Sequence, residues 1–542
     1  MTRGRRTDAD LLFVGGAVRT GDPARPAATA LAVVDGRVAA LDADALALRG
    51  PATAEVDLSG GAVLPAFGDG HVHPLWGGLE LAQAPVRDCT FVDEVVAAVG
   101  AFAAAHPGLA WVQGGSYDPT LAAGGLFDAR WLDAVVPDRP VYLESSDHHC
   151  AWVNSAALQL AGVDRDTPDP PAGSVARRAD GEPLGTLVEW TAMELVKRMV
   201  PAPDAAAKQA GLRASTAMLA AAGITWAQEA ALAPEDVLTY LAAASAGDLA
   251  VRVNIALRAE PGEWPAQREP FRAARAEAAG SPWVRARTVK FFADGVVEAG
   301  TAALLEPYDD APHTCGLPVW SPDELAAAVA AFDADGFQVH VHAIGDAGIR
   351  AALDAVEHAA RVNGPRDRRP VVAHTQVVDP ADIPRFASLG VVANVEPLWA
   401  CLDDCQRDLT MPRLGPRRSA WQYPMRAILD AGGRLSMGSD WPVSSHRPLE
   451  GLAVAVTRQT PDGVPPGGWL PAQRLDPATA LAAYSAGVAH QAFEDRSWGR
   501  VAPGMRADLV WLADDPITVP AAQWPGLAVR GTWLAGVRTA PG

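Results

Sequence analysis

The chain is expected to fold as an α/β protein: a (β/α)₈ barrel, with a small β-rich domain joining both chain ends and an insertion over the mouth of the barrel. Three observations carry this. Apolar strand-like runs alternate with Ala- and Leu-rich helical stretches, as at 322–333, 347–360 and 379–388, which implies parallel pairing. Metal-capable side chains recur at the ends of those runs, as in a barrel whose chemistry sits on its C-terminal face. Both ends of the chain carry short strands closed by Gly and Asp-Gly turns, and neither end has enough apolar surface to stand alone.

In chain order, residues 10–62 hold DLLFVGGAVRT, ALAVVDGRVAAL and AEVDLSGGAV, and the tail answers with GRVAPGMRADLVWLADDP and VRGTWLAGVRT. We therefore assign 1–62 and 497–542 to one composite domain and 63–496 to the barrel. The stretch from about 80 to 220 is long for a first barrel connection. It reads as a roof over a substrate pocket, with a separate partner-binding domain as the alternative, because loops over barrels usually carry function.

The first metal-capable pair is His71 and His73 in VLPAFGDGHVHP, behind the apolar run Ala62–Pro65. Side chains at i and i+2 of a strand share a face, so two imidazoles there can grip one ion. RTVKFFADG then places Lys290 in an apolar strand, FQVHVHAIGD places His340 and His342, PVVAHTQ places His374, and RLSMGSDWPV places Asp440. Lys290 has an argument of its own. Of 45 basic residues, only Lys197, Lys208 and Lys290 are lysines, so where charge alone is needed this chain writes Arg. A desolvated amine loses its proton readily. It can then take up CO₂ as a carbamate, an anionic two-oxygen ligand able to bridge two cations. The alternative is a buried lysine paired with Asp294 or Glu298.

The ordered segments GDGHVHP, SSDHHCAWVNSAAL, GTLVEW, GITWAQEA, VKFFADGVVEAGTAALLEPY, HVHAIGDAGI, VVAHTQ, MGSDWPV and GRVAPGMRADLVWL span nearly the whole chain. They resemble the metal-dependent amidohydrolase superfamily, and within it the YtcJ-like, N-substituted formamide deformylase-like branch (amidohydrolase family 3). The chain departs from that pattern in PAFGDGHVHP and in VVAHTQ, and neither change removes a ligand. The resemblance implies that the two chain ends form a β-sandwich packed on the barrel.

It also implies a binuclear centre. His71, His73 and Asp440 would hold one ion, His342 and His374 the other, and carbamylated Lys290 would bridge them with hydroxide as the second bridge. Zinc suits this nitrogen and oxygen set, and Fe²⁺ or Mn²⁺ would fit it too. The alternative is a single ion with an unmodified Lys290. Strand alternation puts His340 and His342 on one face; the family pattern of His followed by AIGD selects His342. Asp440 would act as general base and then general acid. His149 matches a histidine of the family's DGH-type string and would reach a substrate carbonyl oxygen, with its neighbour His148 competing for that role. Trp441 would wall the pocket. Asp294 would orient a ligand or the substrate, or else form a turn with Gly295. His446 and Arg447 would meet a polar substrate end or lie in an exposed loop.

The expected activity is hydrolysis of an amide-type C–N bond in an N-substituted formamide or other small N-acyl compound. Hydrolysis of a lactone, ester, carbamate or cyclic amide is the alternative, followed by a catalytically silent binding protein. The complete ligand set disfavours the last. The net charge of −19 argues against nucleic acid or an anionic membrane as partner. Residues 1–16 lack an apolar segment long enough for a signal peptide. Five cysteines without zinc-finger spacing read as reduced cytosolic thiols, so a cytoplasmic enzyme is expected, acting on a small molecule, with a homo-oligomer (homodimer) open as its assembly.

Overall fold

The computed structural model describes residues 8–171 and 173–541; the arginine-bearing start read above as too polar for a leader lies partly outside them, at residues 1–7. Eight strands run parallel in sequence order: β1 (Phe67–Val72), β2 (Ile224–Leu232), β3 (Arg252–Arg258), β4 (Val284–Phe292), β5 (Gln338–Ala343), β6 (Val371–His374), β7 (Val392–Val395) and β8 (Arg434–Met437). Most of their residues are buried, as expected for strands covered on both faces. The barrel closes beyond the ends of β1 and β8, where Asp440 N–H donates to His71 O at 2.7 Å and His73 N–H to Trp441 O at 2.8 Å. Gly438 permits that approach: a Cβ there would lie 2.7 Å from His71 N. The residues that close the barrel are therefore the residues that hold the site.

The interior below the mouth is partly polar and internally satisfied. Asn254 donates to Gln228 and to Thr288, each at 2.8 Å, and Thr288 donates to Gln338 at 2.9 Å. This belt crosses β2 to β5 and fixes their relative register, since a strand slipped by one residue would leave these groups unpaired.

Outside the barrel, helices Pro322–Ala334 and Asp346–Asn363 bury one face each, through residues such as Leu325, Phe332, Ile349 and Val356. The stretch 379–388 is helical only over Ile383–Leu389. Before it, Asp379 and Asp382 accept Arg350 at 2.9 and 2.8 Å, in place of a first helical turn.

The two ends of the chain share their sheets. Ala62–Pro65 pairs with Leu509–Leu512 in a six-stranded sheet that includes Val529–Leu534 and Val537–Pro541. A four-stranded sheet, Leu11–Val14 with Leu31–Val34, Arg37–Leu41 and Ala54–Asp57, packs on it through Phe13, Val33, Val63, Leu509 and Trp533. Residues 63–65, placed with the barrel in the sequence reading, thus belong to this composite unit. The backbone changes sheets at Ala66, three residues later than the assigned boundary.

The insertion has its own five-stranded sheet, ordered Ser174–Arg177, Pro183–Val188, Cys150–Val153, Val141–Ser145, Val112–Tyr117. It also has its own cores, one around Phe127, Leu132 and Trp152 and another around Leu158, Leu187 and Met193. It ends earlier than residue 220. Helix Ala205–Ala221 packs Leu212, Leu219 and Ala220 into the barrel core and crosses helix Pro74–Glu80 at Gly78 and Gly211. Among the described residues no helix is long and apolar enough to cross a membrane, and all five cysteines are free.

Candidate active site

The six proposed ligands come from β1 and the residue that follows it, from β4, β5 and β6, and from the segment after β8, and all are buried. His71, His374 and Asp440 each offer a ligand atom, and the three atoms lie within 4.8 Å of one another. Asp440 Oδ1 is 3.2 Å from His73 Nε2 and 3.5 Å from His71 Nε2. Lys290 Nζ is 3.2 Å from His71 Nε2. The His342 and His374 rings are 4.4 Å apart. His374 and Asp440 adopt left-handed backbone conformations, φ 72° and 52°, which are uncommon for non-glycine residues.

A divalent ion fits this donor set. His374 Nε2 is buried and lacks a hydrogen-bond partner, and the buried Asp440 Oδ1 faces the His73 and His71 imidazoles, an arrangement that is costly unless something occupies the space among them. Burial and the neighbouring Lys290 push His71 well below its ordinary pKa; burial and His374 do the same to His342. Both are therefore neutral imidazoles, the form that binds metal. Burial opposes protonation of His73, but Asp440 and Glu229 raise it to about 8. Binding an ion there would displace that proton.

Several supporting residues were missed by the sequence reading. Glu396, just beyond β7, holds His374 Nδ1 at 2.9 Å, which directs Nε2 toward the other ligands. Glu229, in β2, lies 3.3 Å from His73 Nδ1 and is held by the Tyr240 hydroxyl. Asp69 accepts from His71 N at 3.2 Å and from Ser439 N and Oγ at 3.0 and 2.6 Å, tying β1 to the Asp440 loop. His340 sits behind the site, with Nε2 2.9 Å from His71 Nδ1. It supports His71, while His342 faces His374. Glu396→Gln is expected to leave the fold intact and weaken metal affinity about 10–100-fold, measured by competition with a chelator, because the lost contact orients a ligand.

Above these residues opens a cavity of about 670 Å³, lined by the proposed ligands and by Trp76, Trp190, Phe292 and Trp399. His149 lines it too. Burial opposes its protonation, but Glu189, 2.9 Å from Nδ1, raises its pKa to about 9, which makes it a donor at neutral pH. His148 also lines the cavity, with Nδ1 2.9 Å from Glu144.

Two proposed substrate contacts are corrected. Asp294 does not line the cavity; its buried carboxylate accepts the backbone N–H groups of Ala303, Ile344 and Gly345 at 2.8–3.0 Å and so pins the loops after β4 and β5, and its Oδ1 lies 3.8 Å from His342 Nε2, beside a proposed ligand rather than against the substrate. Trp441 packs into the barrel core against Gly77, where an added Cβ would meet its ring at 2.3 Å. Its side chain is turned away because the backbone of Asp440 and Trp441 is used to close the barrel. Trp76 takes the wall position instead. His446 and Arg447 do not line the cavity either, and Arg447 pairs with Glu450 at 2.7 Å.

A parallel eight-stranded barrel with a buried cluster of candidate metal ligands, His71, His374 and Asp440, at its C-terminal mouth has the architecture of a metal-dependent hydrolase. The chain belongs to the amidohydrolase family, whose model matches residues 54–540. It is 33% identical over 522 residues to Protein LONG AFTER FAR-RED 3 of Arabidopsis thaliana, covering 93% of this chain and 87% of that one. It is 29% identical to the putative amidohydrolase YtcJ of Bacillus subtilis, over 90% of each chain. It is 27% identical to the N-substituted formamide deformylase of Arthrobacter pascens, over 97% of this chain and 98% of that one. Among solved structures, a metal-dependent hydrolase of Pyrococcus furiosus superposes with a TM-score of 0.72 at 23% identity, over 94% of this chain and all of the other, which shows the shared fold. The chain is accordingly a hydrolytic enzyme of the class that acts on C–N bonds.

Proposed function

We propose that this enzyme hydrolyses the amide bond of a small N-acyl compound, an N-substituted formamide foremost. The carrying observation is the buried, unpartnered His374 Nε2 clustered with Asp440 Oδ1 and the His71 and His73 imidazoles on the floor of an aromatic cavity. The similarity to an N-substituted formamide deformylase supports the choice of bond. His71, His73 and Asp440 would hold one divalent ion, zinc by preference; His342 and His374 would hold a second, with carbamylated Lys290 between them. When bound, the metal would acidify a water molecule and polarise the substrate carbonyl.

The chain's own groups do the rest. Asp440 accepts a proton from the attacking water and returns it to the departing nitrogen. His149 donates to the carbonyl oxygen as negative charge develops there. Trp76, Trp190 and Trp399 take up the apolar N-substituent, while a formyl group is small enough to reach the crowded floor. The free cysteines accord with a cytoplasmic setting.

The test is metal content alongside formamide turnover. The purified protein is expected to carry one or two divalent ions and to lose activity on chelation, and His71→Ala or His73→Ala should lower both occupancy and turnover. Full activity in a metal-free preparation would refute this reading.

A further inference from the structure

The cavity holds a cation that none of these roles uses. Arg258 ends β3 and is the register partner of Lys290 on β4. Its guanidinium lies 4.1 Å from the centre of the Trp190 ring and 4.9 Å from that of Phe292. Lys290 Nζ is 4.7 Å from the same Phe292 ring, so a single aromatic side chain separates Arg258 from the ligand cluster. Glu260 pairs with Arg258 on its Nε side. The outer nitrogens form no hydrogen bond to another described residue.

The packing fixes the plane of the guanidinium. A rigid, stacked fork with its outer edge free is the geometry that receives a planar two-oxygen anion through two parallel hydrogen bonds. Burial also penalises the charge on Arg258, lowering its pKa from the ordinary value, so an incoming anion is worth more there than on an exposed arginine. Other cavity charges agree with this placement. Lys197 is already engaged by Glu144 at 2.6 Å. Asp118, Asp147, Asp236, Glu298 and Asp403 also line the cavity and would repel an anion, which leaves Arg258 as the side chain suited to receive one.

We propose that Arg258 is a specificity-determining residue that binds a carboxylate carried on the N-substituent, so that the substrate class is an N-acyl amino acid or a close relative. This rests on the amide-hydrolase reading above and narrows it. The carboxylate would stand one aromatic ring's width from the ligand cluster, so only a few bonds separate it from the scissile amide.

The test uses the metal-loaded enzyme and two matched probes: N-formylphenylalanine and its neutral carboxamide, N-formylphenylalaninamide. Binding is measured by calorimetry and cleavage by amine release. Wild type should bind the carboxylate at least tenfold more tightly than the carboxamide, with the preference shrinking as salt rises. Arg258→Met should abolish the preference by weakening carboxylate binding at least tenfold more than carboxamide binding, with metal content unchanged. Arg258→Lys keeps the charge but not the fork; it should retain part of the preference and decides the matter if the methionine variant does not fold. No preference in wild type, or one that survives in Arg258→Met because the carboxylate sits on the metal, overturns the proposal. If wild type shows the preference but cleaves neither probe, the subsite stands and the amide-hydrolase reading fails.

Discussion

Asp440→Asn is expected to fold normally, to keep most of its metal, and to lose about 10²-fold or more in kcat, the usual scale for removing a general base. Asparagine preserves the shape of the side chain and one ligand oxygen, and the backbone hydrogen bond from residue 440 to His71 O is indifferent to the side chain. What disappears is the group that takes the proton. Burial opposes ionisation of Asp440, but His73, His374 and Lys290 hold its carboxyl below the ordinary range. It is therefore charged, and a proton acceptor, at neutral pH. KM should change less than kcat, since the lost interaction belongs to the transition state. The wild-type rate should fall as pH drops and the coupled unit of Asp440, His73 and their ligand takes up a proton; that limb should flatten in the variant. Circular dichroism, metal analysis and a pH–rate profile together check this. Should the variant keep wild-type kcat and the same acidic limb, Asp440 is a turn residue and the proposed proton transfer is wrong.

The barrel was legible because its strands are apolar runs that end in chemically conspicuous residues, and because the two sandwich halves repeat one turn style. His71, His73, Lys290, His342, His374 and Asp440 stood out since imidazole, amine and carboxylate are costly in such strands. Glu229 and Glu396 bore the same signal, lone acids in TWAQEAAL and VVANVEPLW, and it was available to be read. The sequence reading erred where direction mattered more than type. Asp294 and Trp441 lie beside catalytic positions in the chain, yet their side chains are spent on backbone and core. Arg258 left no trace, because one arginine among many becomes distinctive only when Trp190, from the insertion, is seen against it. The strand change at Ala66 was hidden for a related reason: Ala62–Pro65 runs into Phe67–Val72 with a single residue between them, and pattern alone cannot assign two adjoining strands to different sheets.

Lys290→Arg is expected to yield a folded protein with turnover reduced about 10²-fold or more, at least the loss typical of disturbing a ligand's supporting contacts. Burial lowers the Lys290 amine to about 7, so near neutrality a large share is unprotonated and can add to CO₂, releasing one proton and forming a carbamate. An arginine stays charged at any accessible pH and cannot make that adduct. The ion-pair alternative loses its partners in the structure: Asp294 is consumed by three backbone N–H groups, and Glu298 is bonded by the Thr410 hydroxyl. What Lys290 does approach is His71 Nε2, the atom that should face a metal. Lys290→Ala then separates the two roles the amine could play. If the residue supplies carboxylate oxygens between two ions, acetate or propionate added to the alanine variant should restore part of the activity and raise its metal content from one ion toward two. If it serves as a plain cation, short amines should rescue and short acids should not. Rescue by amines alone, or an unmodified Lys290 in a metal-loaded crystal grown with bicarbonate, would rule out the carbamate bridge.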